Sequence, residues 1–90
     1  MKVQIVAVAP TTYQINSIRA LSGIRGFSGN PDGSFEFKAI FSSKSDAIKY
    51  LKNRAYTLFE DQLEYREAIA EINNYGMLTY DAVTARIEKI

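Results

Sequence analysis

Val3, Ile5 and Ala7 alternate with Lys2, Gln4 and Val6 at the start of the chain, the period-two pattern of a strand with one buried face. Pro10-Thr11-Thr12 closes that pattern, and either threonine suits the cap of a helix over residues 13–22. Ile15, Ile18 and Leu21 recur three apart as its buried stripe, and Gly23 suits its C-terminal cap. Residues 24–28 then read as a short strand, and Gly29-Asn30-Pro31-Asp32-Gly33 as dense turn chemistry. Residues 34–41 alternate most strictly of all. Phe35, Phe37, Ala39 and Phe41 fall on one face, and Glu36, Lys38 and Ile40 on the other.

The second half opens on Ser43-Lys44-Ser45-Asp46, a capping box with the shorter acid in fourth place. Ala47, Ile48, Leu51, Ala55 and Leu58 form the helical stripe behind it. A second cap, Asp61-Gln62-Leu63-Glu64, argues for a break near Glu60, yet Leu51, Ala55, Leu58, Gln62, Tyr65, Ile69 and Ile72 repeat at 4-3-4-3-4-3 spacing without interruption. One helix over residues 44–74 would be roughly 45 Å long and would overhang a small domain. Two helices with a kink are expected, the single extended helix being the alternative. Gly76 ends this segment, and residues 82–90 alternate Val83, Ala85 and Ile87 against Thr84, Arg86 and Glu88 as the last strand.

The fold class expected from this order is α+β. It is a ferredoxin-like βαββαβ plait over residues 1–90, with a four-stranded antiparallel sheet, helices on one face, and the second helix extended or split in two. Ninety residues with 47% apolar positions suffice for one two-layer core. No apolar run approaches the roughly 20 residues that span a bilayer, and residues 1–9 read as a buried strand rather than a leader. A soluble protein of the reducing cytoplasm is expected, with no membrane partner.

Composition removes much of enzymology. Without Cys there are no disulfides, thiolate metal sites or thiol nucleophiles, and without His the commonest general base and metal ligand is missing. No cofactor and no metal site is expected. The net charge of +1 lacks the basic excess of a non-specific nucleic-acid binder. A base-stacking platform is also missing, because the open sheet face would present Gln4, Glu36, Lys38, Ile40, Thr84, Arg86 and Glu88. Gly23-Ile24-Arg25-Gly26 matches a short GxxG loop, but it is followed by strand and turn signals rather than a helix. Nucleic acid is therefore not the expected partner.

The run Gly26-Phe27-Ser28-Gly29-Asn30-Pro31-Asp32-Gly33-Ser34-Phe35-Glu36, followed by a helix near Asp46-Ala47, resembles acylphosphatases over residues 21–51. The resemblance implies a stand-alone plait in which Asn30 would orient an attacking water. The family's other half, a Gly-rich phosphate loop with an Arg after the first strand, is not matched. Ala7 to Tyr13 holds no Gly and no Arg, and Pro10 lacks an N–H.

Charge is unevenly spread. Residues 1–59 carry a net +5 and residues 60–90 a net −4. Glu60, Glu64, Glu67 and Glu71 are spaced 4, 3 and 4 apart on one helix face, with Lys49, Lys52 and Arg54 as the complementary basic group on the preceding helix. Six tyrosines are many for this length, and Tyr50 and Tyr56 lie beside the basic residues. The expected activity is therefore non-catalytic binding of another protein or of a second copy. The expected contact residues are Lys49, Tyr50, Lys52, Tyr56, Glu60, Glu64, Glu67 and Glu71 on the helical face, with the edge of the strand at 24–28 as a second candidate. A small hydrolase using Asn30 is the alternative.

Overall fold

A computed structural model describes all 90 residues. Five strands and three helices follow one another along the chain. They are β1 (Val3–Ala9), α1 (Ile15–Ser22), β2 (Ser28–Gly29), β3 (Phe35–Phe41), α2 (Lys44–Leu58), α3 (Gln62–Tyr75), β4 (Met77–Tyr80) and β5 (Val83–Lys89). The strands form one antiparallel sheet in the order β2-β3-β1-β5-β4. The alternation sorts them cleanly. Val3, Ile5, Ala7 and Ala9 are buried with Phe37, Ala39 and Phe41, whereas Val8, Lys38, Ile40 and Arg86 stand exposed on the opposite face. All three helices cover the first face, and α1, α2 and α3 contribute Ile18, Leu21, Leu51 and Ile72 to the core. Alanine is the commonest residue of that core, which lets helix and sheet backbones approach closely.

The α+β class holds, but the sheet has five strands rather than four. The addition is β4, a four-residue strand hidden between the helix-stopping Gly76 and the last strand. Its hairpin turn carries only half of the usual punctuation, an aspartate without the glycine that normally follows it. Asp81 and Ala82 both take positive φ, 47° and 69°; aspartate suits the first of these positions, but glycine would be expected at the second. The buried Ser17 hydroxyl holds this turn, donating toward the Asp81 carbonyl and carboxylate at 3.2 and 3.1 Å. Ala82 bears the left-handed penalty of its Cβ with nothing local to offset it. Ala82→Gly is expected to raise stability by about 0.5–1 kcal/mol, read as a later urea midpoint with unchanged slope.

The strand expected at 24–28 shrinks to Ser28–Gly29. Gly23 and Gly26 both adopt positive φ, and the residues from Gly23 to Arg25 wind into a 3₁₀ turn instead, closed by the Gly26 N–H on the Gly23 carbonyl. Residues 12–14 likewise form a 3₁₀ turn ahead of α1, without a threonine side-chain cap.

The long helix is split, as the two caps suggested. Ser43 accepts the Asp46 N–H at the start of α2. Asp61 accepts the N–H groups of Leu63 and Glu64 at 2.8 and 3.0 Å and starts α3. Between them Phe59 leaves the helical region (φ −109°, ψ 111°) and turns its ring onto Tyr80, edge to face at 5.7 Å. The repeat is thus shared between two shorter helices, each with its own stripe on the sheet, and its polar member Gln62 stands exposed at the start of α3.

Candidate interaction surface

The helical layer carries two differently charged flanks. The basic one is built where α2 meets the end of α1. A helix leaves its last carbonyls without partners, and α2 supplies them. Arg54 donates from Nε and Nη2 to the Ala20 carbonyl at 3.0 and 2.6 Å, and the Tyr50 hydroxyl donates to the Ser22 carbonyl. Tyr50 lies half-buried with its ring 5.4 Å from Phe41, and the Arg25 guanidinium stacks over both rings, 4.7 Å from Phe41 and 5.4 Å from Tyr50. Lys49 and Asn53 border the same groove from the exposed side of α2.

Burial pushes the Tyr50 phenol above its ordinary value of 10.0, against a smaller downward pull from the Arg54 and Arg25 charges. The folded state therefore favours the neutral phenol. Its contribution is complete below pH 10 and is lost as pH climbs through the raised folded value. Thermal melts from neutral pH to pH ~11 should show stability falling at the alkaline end. Tyr50→Phe, lacking the hydrogen bond, should lose about 1 kcal/mol at neutral pH and show a shallower alkaline decline.

The acidic flank lies at the other side of the layer. Glu64, Glu67 and Glu71 of α3 line one groove with Phe59, Ala68 and Thr79. Glu71 is committed within the fold, accepting the Thr79 N–H of β4 at 3.0 Å. Glu64 and Glu67 remain exposed. An adjoining notch is bounded by Tyr56, Glu60, Gln62 and Tyr65, with Phe59 as the wall it shares with the groove. The Tyr56 and Tyr65 rings meet edge to face at 6.1 Å.

The sequence-derived contact residues therefore fall into two groups. Tyr56, Glu60, Glu64, Glu67 and Glu71 form one continuous surface. Lys49 and Tyr50 belong to the basic flank, and Lys52 lies half-buried on α2 and lines neither groove. Sequence reasoning did not single out Phe59 or Thr79, which complete the acidic groove, and it placed Ile24 and Arg25 only along an exposed strand edge rather than on a turn. The signal for those two was the glycine frame at 23 and 26, which turns the intervening pair outward. The strand edge expected at 24–28 offers little for another chain to pair with, since β2 is two residues long.

Asn30 sits at the same end of the sheet as Pro10 and Thr11, because Ala9 and Gly29 both register with Phe35. Its side chain is engaged in its own turn. The Nδ2 group donates to Ser34 Oγ at 3.0 Å, and its backbone N–H donates to the Ser34 carbonyl at 2.8 Å. Asp32 accepts from the Ser34 hydroxyl and N–H, hydrogen bonds that hold its carboxyl below the usual range.

No side chains are grouped as a metal site, and no helix is long and apolar enough to cross a membrane. The chain matches no protein-family model, no curated protein and no solved structure.

Proposed function

We propose that this chain is a ferredoxin-like plait with an added edge strand, acting in the cytoplasm as a non-catalytic protein-binding domain. With β4 set aside, its elements run β-α-β-β-α-α-β, which supports the fold half of this reading. The binding half rests on one observation above all. Glu64 and Glu67 stand exposed at the rim of a groove whose floor is Phe59 and Ala68. An apolar floor with an anionic rim suits a partner segment that presents an apolar side chain beside a basic one. Tyr56 and Tyr65 extend the surface with aromatic area of the kind enriched at interfaces.

Reversing both rim charges tests this. Glu64→Lys/Glu67→Lys should weaken partner binding about 100-fold or more, roughly 2.7 kcal/mol, since like charges would then face each other across a desolvated contact. The fold should persist. The main structural cost is a lysine in the first turn of α3, about 0.5 kcal/mol from the helix dipole. The measurement is affinity capture from the native host with tagged wild type and variant side by side, with the mass of each eluted complex. Equal capture by both proteins would remove α3 as the binding surface.

A further inference from the structure

The flank opposite the acidic groove carries its chemical complement. Ile24 is fully exposed at 102% of its reference area, on the 3₁₀ turn that also holds the exposed Arg25. The Arg25 guanidinium rests 4.7 Å from the Phe41 ring and 5.4 Å from the Tyr50 ring, and the residue stays exposed. Ile24 therefore offers its whole side chain to a partner, on a turn framed by glycines at positive φ. This corner is an apolar knob with a cation beside it. The groove on α3 is an apolar floor with an anionic rim.

One molecule cannot bring the two together. The Arg25 corner lies against β3 and the acidic groove against β4, with β1 and β5 between them. At about 4.8 Å per strand this separates them by roughly 14 Å of sheet. Between copies both surfaces are open to contact, since Ile24, Arg25, Glu64 and Glu67 are all exposed. We propose that the Ile24–Arg25 corner of one copy docks into the Phe59–Ala68 groove of a second copy, with Ile24 on the floor and Arg25 against Glu64 and Glu67. The inference rests on the reading of α3 as a binding surface and names a second copy of this chain as its occupant. The two surfaces differ, so the contact is heterologous, and each copy that docks leaves one corner and one groove free. Assembly then continues as a chain of copies, or as a ring if the rotation closes.

Neutral substitutions at exposed positions separate the halves without creating reversed charge pairs. Ile24→Ser/Arg25→Gln removes the corner and keeps the groove; Glu64→Gln/Glu67→Gln does the opposite. Circular dichroism of each variant checks that the fold is kept. In sedimentation velocity from micromolar to millimolar concentration at low salt, the wild-type mass should rise beyond two copies, and molar salt should reverse the rise. Each variant alone should stay monomeric. An equimolar mixture should stop at two copies, because it contains one intact corner and one intact groove. A wild type that stays monomeric throughout overturns the inference, while the capture experiment still judges α3 independently. Variants that assemble like wild type, or a mixture that grows past two copies, overturn it as well.

Discussion

Phe37→Ala is expected to cost about 3–5 kcal/mol, the range for truncating a large aromatic side chain in a packed core. Phe37 is 1% exposed and lies at the middle of β3, with Ala7 opposite it on β1 and the Tyr50 ring 6.2 Å away. Its neighbours cannot close the gap, because the core around it is rich in alanines whose short side chains already sit at the ends of their reach. A domain of this size has a total stability of about 5–15 kcal/mol, so the variant loses a large share of it. Urea unfolding followed by circular dichroism measures the loss, with Ile40→Ala as the internal control. Ile40 lies on the same strand and is 62% exposed on the open face. Its truncation should cost less than about 0.5 kcal/mol. Comparable losses for the two variants would mean that β3 does not present its faces as described.

The alternation that marks Phe37 as buried was fully legible in the sequence, and so were the caps of α2 and α3, though not the threonine cap expected for α1. These features are local. A period of two needs only one strand, and a cap needs only three or four residues. What escaped were features written in backbone conformation rather than in residue type. β4 was hidden because its turn puts Ala82 at positive φ, where sequence preference calls for glycine, and because Ser17, from a different element, helps to hold that turn. The strand expected before β2 failed for the converse reason. Ile24 and Phe27 have strand-like side chains, but positive φ at Gly23 and Gly26 takes the backbone out of the extended region on both sides of Ile24.

The surface divides in the same way. The acidic row was visible as spacing on one helix, but only Glu64, Glu67 and Glu71 lie on α3; Glu60 falls in the link that separates α2 from α3. That Glu71 spends its carboxylate on β4, while Glu64 and Glu67 do not, depends on a strand that the sequence concealed. Tyr50 and Arg54 stood out as members of a charged, aromatic helix face, yet their hydroxyl and guanidinium serve the end of α1, more than 25 residues earlier in the chain. A pattern within one helix cannot show which carbonyl of another helix lies within reach. The two grooves arise from packing, and only the residues that rim them were legible beforehand.

Arg54→Ala should cost about 2–3 kcal/mol, a large effect for a residue outside the hydrophobic core. The guanidinium makes two hydrogen bonds to the Ala20 carbonyl, and removing it leaves a part-buried acceptor at the end of α1 without its charged donors. The loss of the half-buried aliphatic stem adds to it. Arg54→Lys should recover only part of this, since a single ammonium cannot reproduce the bidentate reach. Gly23 supplies the decisive control. A Cβ built on Gly23 would lie 2.9 Å from Arg54 Nη1, at a residue whose φ is +57°. Gly23→Ala therefore carries two costs, a strained backbone and a displaced guanidinium, and only the second depends on Arg54. In the Arg54→Ala background the second cost disappears, so the double variant should be more stable than the sum of the two single losses predicts. Urea midpoints of the four proteins complete the cycle, and amide exchange at Leu21 and Ser22 reports whether the end of α1 opens. Strict additivity would show that Gly23 is required for its backbone conformation alone, and that the passage it leaves for Arg54 contributes nothing.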